Sequence, residues 1–428
     1  MNIILLSGGS GKRLWPLSND VRSKQFLKLL SAPDGGVESM IQRVVRQVRG
    51  MGIGDSITIA TGAAQIEAIS SQLGDGVNVV TEPSRRDTFP AIALACAYLY
   101  SVGTSEYEPV VVMPCDVFTD DGYFCTLARM AQEVGADVAE LVLMGIRPTA
   151  PSTKFGYVVP EREISDNCYL VKGFTEKPNM DRAEKLISQN AFWNGGVFAF
   201  RLGYLMDIVR KYSENIGFEY LRDNFGMLPK ISFDYEVAEK AKSVAVVPFS
   251  GEWKDLGTWD ALSGELPSDI VGYVRTEDVS DTQVVNELDI PVVCCGVKNL
   301  IVAAGADGIL VADKGHCESL KQLVNDIKDI PMYEERRWGW YKVIGRISYP
   351  DGHNSLTRMQ HINSGCEVDF CESGFKSKVI TIIAGCGHLI DNGVERKIAT
   401  GDVIDVKQDQ NYKIKSLESM DFIEIRLQ

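Results

Sequence analysis

Apolar runs alternate with helix-like segments along roughly the first 262 residues of the chain. Seven runs have the short, nearly uninterrupted apolar pattern of strands buried on both faces of a parallel sheet: NIILLS, SITIAT, VNVVTE, PVVVMPCD, LVLMGI, GVFAFR and VAVVPF. Between them, apolar residues recur at helical spacing in SMIQRVVRQVRGM, FPAIALACAYLYS, GYFCTLARMAQEVGA and MDRAEKLISQN. This alternation predicts a doubly wound, Rossmann-like α/β domain that binds ligands at the carboxyl ends of its strands.

The pattern changes to strands and turns beyond that point. Over residues 263–330 short apolar runs are broken by Gly, Asp and Asn, and residues 331–428 are almost entirely strand-like. Asp391-Asn392-Gly393, between two apolar runs, is a strong hairpin signal. We therefore predict three domains: an α/β domain over 1–262, a β-rich connecting segment over 263–330 and a small β-sandwich or barrel over 331–428.

Composition and charge indicate which partners the protein can bind and in which cellular compartment it is expected. The net charge of −14, with no basic tract, argues against nucleic acid, and no apolar stretch has the length of a membrane span. The N-terminal apolar run is too short for a signal peptide, and the ten cysteines include no C-x-x-C pair, so we expect a cytoplasmic protein with reduced thiols. The four histidines lie far from any paired cysteines, which disfavours a zinc site.

The loop after the first predicted strand combines glycines with positive charge. It reads LLSGGSGKRLWPLS, in which Gly8, Gly9 and Gly11 let backbone N–H groups approach phosphate oxygens closely. Lys12 and Arg13 add charge where a polyphosphate would lie. The alternative is a tight glycine-rich turn with no ligand, because the loop matches neither the Walker A pattern nor G-x-G-x-x-G.

Two carboxylates also follow predicted strands. Asp116 comes after PVVVMPC and Asp255 lies in the stretch after the last strand of the first domain. Taken singly, either residue would more often be a turn former or a helix cap. Two carboxylates at neighbouring strand ends, however, suit Mg²⁺, which binds a few protein oxygens together with substrate phosphates.

Three further stretches carry polar groups near predicted strand ends. Glu176 and Lys177 precede a proline in KGFTEKPN, where a solvated turn with an ordinary ion pair is the alternative. Asn194 precedes Gly195 in FWNGGVFAF, so an amide lies beside a backbone that a ligand can approach. Lys24 follows the glycine loop, and taken alone it would be a surface lysine.

Together these stretches resemble the sugar-1-phosphate nucleotidyltransferases, specifically their mannose-1-phosphate guanylyltransferase branch. The pattern G-G-x-G-x-R-L-W-P-L-S is matched in full from Gly8 to Ser18, and six further blocks follow in the family's order: KQFL, EP…RDTxPA, FxEKP, WNxGxF, DYxVxE and WxDLGTW. The resemblance covers about the first 330 residues and continues weakly to the end. Phe89 stands where alanine is usual in the family, and we expect it to line the sugar and nucleotide pocket.

The resemblance implies Mg²⁺-dependent transfer of a nucleotidyl group from GTP to mannose 1-phosphate, giving GDP-mannose and pyrophosphate. Another sugar 1-phosphate (a heptose or other hexose), another nucleoside triphosphate and, more remotely, a non-catalytic nucleotide-sugar-sensing subunit stay open. We also expect a homo-oligomer.

The family pattern assigns a role to each matching position. The catalytic cations are Arg13, Lys24 and Lys177, and the metal ligands are Asp116 and Asp255. The sugar phosphate is bound by Glu176, Lys177, Asn194 and Gly195. The nucleotide is bound by Leu6, Ser7, Gly8, Gly9, Gly11, Lys12, Glu82, Arg85, Asp87 and Thr88.

The C-terminal stretch RRWGWYKVI resembles the start of the cupin domain that acts as a phosphomannose isomerase in bifunctional relatives. An active domain of that type holds a metal through closely spaced histidines and a glutamate. Here Cys371 and Ser373 stand at the histidine positions and Lys378 at the glutamate position. Because a lysine cannot replace a carboxylate ligand, we predict a cupin-like scaffold without metal or isomerase activity. His361 and His388 are expected to be structural.

Overall fold

The computed structural model describes residues 1–9, 11–54, 56–327, 330–370, 375–391, 393–408 and 410–427. The chain divides into two compact units, each assembled from separate stretches. The first unit comprises Met1–Ser10, Gln25–Ile66 and Asp75–Pro267, and the second comprises Gly11–Lys24, Glu67–Gly74 and Ser268–Gln428. The three-domain division, with boundaries after residues 262 and 330, stays a prediction.

The first unit alternates strands and helices as the apolar pattern predicts. Its strands are β1 (Asn2–Leu6), β2 (Leu30–Ser31), β3 (Val37–Glu38), β4 (Ser56–Gly62), β5 (Asn78–Glu82), β6 (Pro109–Pro114), β7 (Val117–Thr119), β8 (Leu141–Ile146), β9 (Tyr157–Ser165), β10 (Cys168–Thr175), β11 (Phe192–Arg201), β12 (Val244–Phe249) and β13 (Trp253–Asp255). Its helices are α1 (Met40–Gly50), α3 (Thr88–Ser101), α4 (Asp121–Gly135), α5 (Met180–Ile187), α6 (Leu202–Val209), α7 (Phe218–Asp223) and α8 (Trp259–Ser263), with a π-helix over Asp234–Ala238. The α2 helix (Ile66–Leu73) falls mainly in the second unit.

Local sequence explains where the long helices begin. At the start of α1 the Ser39 side chain accepts from the Gln42 N–H, and the Gln42 side chain accepts from the Ser39 N–H. This reciprocal capping box satisfies two N–H groups that would otherwise lack partners. At the start of α4, the Asp120 carboxylate caps the helix by accepting a hydrogen bond from the Gly122 N–H at 2.9 Å.

The main sheet of the first unit is mixed, with the strand order β5-β4-β1-β6-β11-β8-β12-β10-β9. Strands β5, β4, β1 and β6 run parallel to one another, as the uninterrupted apolar runs predict. Strand β11 runs antiparallel to both β6 and β8. Ile3, Ile4 and Leu5 in β1 are fully buried, because α3 and other elements cover the sheet.

The second unit is rich in β-structure. Its strands are β14 (Ile270–Val271), β15 (Val274–Glu277), β16 (Gln283–Asn286), β17 (Val292–Cys295), β18 (Leu300–Gly305), β19 (Gly308–Asp313), β20 (Tyr333–Arg336), β21 (Gly339–Ser348), β22 (Asn354–Ile362), β23 (Glu367–Phe370), β24 (Ser377–Ala384), β25 (Cys386–Asp391), β26 (Val394–Ala399), β27 (Val403–Lys407), β28 (Tyr412–Ser416) and β29 (Met420–Leu427), and its further helix is α9 (Leu320–Val324). The predicted hairpin joins β25 to β26, with Asp391 paired to Val394; Asn392 lies outside the described residues.

The C-terminal part of this unit is a β-sandwich. One sheet has the strand order β20-β21-β22-β29-β24-β27 and the other β23-β28-β25-β26. Their inner faces share a core that includes Ile380 and Phe422 from the first sheet and Phe370, Leu389 and Ile414 from the second. Within the described part of the chain, no helix combines the length and the apolar character that a membrane span requires.

Candidate active site

The carboxyl ends of β1 and β6 form one edge of the first unit's sheet. The two strands are parallel neighbours, with Leu6 paired to Pro114, and the Cys115 N–H donates to the Leu6 carbonyl at 3.3 Å. The chain therefore continues from one strand into Gly8 and from the other into Asp116 at the same edge. In open α/β sheets this edge is where ligands bind.

Ser7 anchors the start of the glycine loop. Its side chain is 1% exposed, and the Gln25 amide donates to the Ser7 carbonyl at 3.1 Å and to its hydroxyl oxygen at 3.0 Å. The Ser7 hydroxyl in turn lies 3.5 Å from the Gln65 amide oxygen. The hydroxyl of Ser7 is thus engaged inside the protein, and the loop leaves the strand from a fixed point.

A carboxyl group faces the loop from the end of β5. A Cβ atom on Gly8 would lie 3.7 Å from the Glu82 Oε1 atom, so the carboxyl group is in van der Waals range of the loop. Burial raises the pKa of Glu82 to about 7; Arg85 opposes this rise and Asp87 adds to it. Glu82 therefore titrates near neutral pH.

Asp87 and Thr88 are engaged in local structure at the start of α3. Asp87 has a φ of 72° and its carboxylate accepts from the Thr88 N–H at 2.8 Å, which caps the helix. The Thr88 hydroxyl oxygen accepts from the Phe233 N–H at 2.8 Å. The expectation for Phe89 is wrong: its side chain is fully buried in the core and packs edge-on against Tyr212, so it lines no pocket.

A short antiparallel ladder sets Asp255 beside the strand that follows Asp116. Strand β13 pairs with β7, and Asp255 is the direct partner of Val117, the residue after Asp116. The nearby Tyr123 side chain is fully buried; burial and then the charge of Asp116 raise the pKa of its hydroxyl. Because Mg²⁺ commonly binds one or two carboxylates and completes its shell with water and phosphate, this donor set fits a hard divalent cation.

Glu176 and Lys177 form an ion pair at the end of β10. The Lys177 Nζ atom lies 2.8 Å from the Glu176 Oε1 atom, and this hydrogen bond raises the pKa of Lys177. The Glu176 side chain is only 7% exposed, yet among the described residues its Oε2 atom is buried with no hydrogen-bond partner. A Cβ atom on Gly156 would collide with Oε2, so this glycine leaves room beside the carboxylate. A buried carboxylate oxygen without a partner is costly unless a ligand completes it.

Lys177 also has an unusual backbone conformation. Its φ is 42°, in the left-handed region, although it is not a glycine and precedes Pro178. Its side chain is 60% exposed, in contrast to that of Glu176. Strained backbone of this kind concentrates at ligand-binding sites, and here it presents the ammonium group to solvent.

The Asn194 amide is held by protein groups at both ends. Its Nδ2 atom donates to Asp234 Oδ1 at 2.6 Å, and its Oδ1 atom accepts from the Gly196 N–H at 3.2 Å. Gly195 is closely packed, since a Cβ atom there would lie 3.1 Å from Ile146 Cγ1 and the isoleucine would have to shift. The structure thus connects Asn194 to a carboxylate that the sequence analysis did not assign to the site.

Asp234 begins the π-helix over Asp234–Ala238, within the block DYxVxE. Burial, and then the negative charge of Glu176, raises its pKa to about 6, while the Asn194 hydrogen bond opposes this rise. π-helical segments are frequent at functional sites. The block itself was the sequence signal for Asp234, but its burial beside Glu176 depends on the fold.

The remaining loop residues belong to the second unit. Gly11–Leu14 is a 3₁₀-helix, and the Ser18 hydroxyl donates to the Gly11 carbonyl. The Lys12 Nζ atom lies 3.9 Å from Asp20 Oδ2. Arg13 is exposed and makes no hydrogen bond or ion pair with the described residues, so its guanidinium is available to an anion. Lys24, at the start of the 3₁₀-helix Lys24–Phe26, is half-buried.

Two histidines of the C-terminal part, His361 and His388, pair with acids on neighbouring strands. His361 Nδ1 lies 2.8 Å from Asp421 Oδ1, with its ring stacked on Trp340, and His388 Nδ1 lies 3.1 Å from Glu395 Oε1. These pairings support structural roles. Two positions that the sequence analysis compares with metal ligands, Cys371 and Ser373, lie outside the described residues.

Comparison with known proteins gives consistent matches. The model of the family described as nucleotidyl transferase matches residues 2–268. A putative mannose-1-phosphate guanylyltransferase of Vibrio cholerae is 29% identical over 91% of this chain and 93% of its own length. The mannose-1-phosphate guanylyltransferase RfbM of Salmonella typhimurium is 30% identical over 85% of this chain and 80% of its own. A crystal structure described as mannose-1-phosphate geranyltransferase from Thermus thermophilus shares 30% identity with a TM-score of 0.64, covering 77% of this chain and 99% of that one.

Proposed function

Because the chain belongs to the nucleotidyl transferase family, we propose that it transfers a guanylyl group from GTP to mannose 1-phosphate, giving GDP-mannose and pyrophosphate. The guanylyltransferase relatives support this base and this sugar. The Asp116–Asp255 pair carries the proposal, since the β7–β13 ladder sets Asp255 opposite the residue that follows Asp116. Two carboxylates beside a glycine loop are the donor set that metal-assisted transfer to a phosphate oxygen requires.

The reaction needs little proton chemistry. An oxygen of the sugar phosphate attacks the α-phosphorus of GTP in line, a new P–O bond forms, and the bond from the α-phosphorus to the pyrophosphate oxygen breaks. The attacking oxygen is already anionic near neutral pH, so no general base is required. The protein therefore contributes alignment and neutralisation of charge.

Charge neutralisation at the triphosphate is assigned to residues of the glycine loop and the carboxylate pair. Backbone N–H groups at Gly8 and Gly9 and the exposed guanidinium of Arg13 are suited to phosphate oxygens. Asp116 and Asp255 would hold Mg²⁺, which when bound supplies positive charge to the phosphates. Lys24 adds a further cation.

The sugar phosphate is assigned to the cluster around Glu176. The exposed Lys177 ammonium binds the phosphate as a compact positive charge. The Glu176 Oε2 atom and Asp234 accept from sugar hydroxyls, which would complete the hydrogen bonding of the buried carboxylate. Asn194 positions Asp234 through the 2.6 Å hydrogen bond.

A substrate panel tests this function. Pyrophosphate release is measured with GTP, ATP, UTP and dTTP against mannose, glucose and other sugar 1-phosphates, including a heptose 1-phosphate. We expect the highest kcat/KM for GTP with mannose 1-phosphate. A higher value for another pair would reassign the substrate. Nucleotide binding without pyrophosphate release from any pair would favour a sensing subunit over an enzyme.

A further inference from the structure

The interior of the C-terminal β-sandwich contains a cluster of charged side chains. Four polar residues on adjacent strands point inward: Gln360 on β22, Lys378 on β24, and Glu424 and Arg426 on β29. Lys378 is 1% exposed and Glu424 is fully buried. The strand register sets Lys378 directly opposite Arg426, with Glu424 two positions away on the same face.

Glu424 is the centre of this cluster. Its Oε1 atom lies 2.9 Å from the Lys378 Nζ atom, an ion-pair contact rather than a well-directed hydrogen bond. Its Oε2 atom accepts from Gln360 Nε2 at 2.8 Å and from Arg426 Nη2 at 2.7 Å. Both carboxylate oxygens of Glu424 therefore lie next to protein groups that carry positive charge or donate hydrogen bonds.

Aromatic rings surround the Lys378 ammonium. Its Nζ atom lies 4.5 Å from the centre of the Phe375 ring, 5.3 Å from that of Tyr412 and 6.0 Å from that of Phe370. It also lies 3.3 Å from the Tyr412 hydroxyl oxygen. Aromatic faces attract cations, so these rings add cation–π contacts to the ion pair that Lys378 makes with Glu424.

This cluster bears on the metal that an active cupin domain of this type would hold. Lys378 occupies the position where the family has a glutamate ligand, and an ammonium group cannot ligate a metal. Its charge would also repel a divalent cation at close range. The donor set of the described residues therefore does not fit a metal.

We propose that the Lys378 ammonium is the permanent internal cation of the C-terminal β-sandwich, paired with Glu424 in place of a bound metal. The sandwich is held together by a cation that the chain itself supplies, and its interior takes up no divalent ion. Because the interior of the sandwich takes up no metal, it lacks the electrophile that metal-dependent isomerisation of a sugar phosphate requires. The domain acts as a structural element. This inference is independent of the transfer reaction.

The first test compares three variants of the full chain by thermal and guanidinium unfolding. Glu424→Gln leaves two buried cations without their common anion, so we expect the largest fall in the melting temperature of the C-terminal transition. Lys378→Met should cause a smaller fall, because Glu424 keeps Arg426. The double variant should be more stable than Glu424→Gln alone. As a control, Lys413→Met removes a half-exposed cation that pairs with Glu367 and Asp369 on the surface and should change little.

Recovery in the double variant is the decisive outcome of this test. If Glu424→Gln gives no folded protein, the comparison is made on soluble yield, and the double variant should recover it. Equal loss in the single and the double variant, or no loss in Lys378→Met, would overturn the proposal.

The second test measures metal content. Full-length Asp255→Asn protein, in which the transferase metal site is weakened, is incubated with Zn²⁺, Mn²⁺ or Co²⁺, desalted and analysed by mass spectrometry. We expect far less than one equivalent of bound metal. One equivalent that disappears when Glu424→Gln is added would show that the sandwich binds a metal after all.

Discussion

The Asn194 amide donates a 2.6 Å hydrogen bond to the carboxylate of Asp234, and this contact connects the WNxGxF and DYxVxE blocks of the sequence. Since the other end of the amide accepts from the Gly196 N–H, Asn194 is a positioning residue for Asp234. The raised pKa of Asp234, about 6, makes this relationship measurable through pH.

Asn194→Ala should shift the pH dependence of the reaction. The Asn194 hydrogen bond lowers the pKa of Asp234, so its loss raises that pKa and reduces the ionised fraction at a given pH below neutrality. The acid limb of kcat/KM should therefore move to higher pH. The KM for mannose 1-phosphate should rise by about tenfold, the scale of one hydrogen bond to a charged group, with a smaller effect on the KM for GTP.

Steady-state kinetics from pH 5 to 8 check this prediction. The Asp234→Asn variant is the reference. It has no titrating carboxyl at position 234, so its kcat/KM profile should lack the acid limb that is assigned to Asp234. An unchanged profile in Asn194→Ala, or equal changes in both KM values, would remove the positioning role.

Lys177→Ala should weaken binding of the sugar phosphate selectively. The Lys177 side chain is 60% exposed and its ammonium group pairs with Glu176, so its removal takes this positive charge away from the sugar phosphate. We expect the KM for mannose 1-phosphate to rise by about 10- to 100-fold and the KM for GTP to change much less. Lys185→Ala, on the exposed face of α5, is the matched control. Equal increases for the two substrates would refute the assignment.

Glu82 should make the stability of the free protein depend on pH. Its folded-state pKa of about 7 lies above the ordinary glutamate value of 4.5, so the folded state favours the protonated carboxyl. The stability linked to this group is fully present below about pH 4.5 and is lost as pH rises through 7. The melting temperature of Glu82→Gln, relative to wild type, should therefore increase from pH 5 to pH 8.

Differential scanning fluorimetry across this pH range gives the comparison for Glu82. The exposed Glu161→Gln, on β9, is the control and should follow wild type throughout. A constant difference between Glu82→Gln and wild type would show that Glu82 is not the titrating group.

Much of the first unit could be predicted from sequence because its strands are buried on both faces. Continuous apolar runs such as Ile3 to Leu6 predicted β1, and the alternation with helices predicted the strand-end location of Asp116. The ladder that pairs Asp255 with Val117 was not visible, but the position of both carboxylates after strands suggested their proximity.

Residues whose role depends on burial could not be assigned from sequence. Phe89 looks like a pocket residue in the family pattern, yet it packs into the core against Tyr212. The sequence does not distinguish Asp234 from the other acidic residues, because its role depends on burial beside Glu176 in the folded protein. Lys378 could be recognised as a lost metal ligand, but its ion pair with Glu424 depends on the register of β24 and β29.

Asp116 and Asp255 are proposed to support transfer of a guanylyl group with the help of a divalent metal. Purified wild-type and Asp255→Asn proteins are incubated with GTP, mannose 1-phosphate and Mg²⁺, and GDP-mannose and pyrophosphate are quantified by chromatography. Asp75→Asn, an exposed acid of the first unit, is the control, and circular dichroism verifies folding.

Wild type and Asp75→Asn should form GDP-mannose and pyrophosphate in equal amounts, and excess chelator should abolish both. Asp255→Asn should be folded but slower by about a hundredfold or more, since it loses charge that holds the metal at the phosphates. Wild-type rates in Asp255→Asn, or undiminished turnover in excess chelator, would contradict the account.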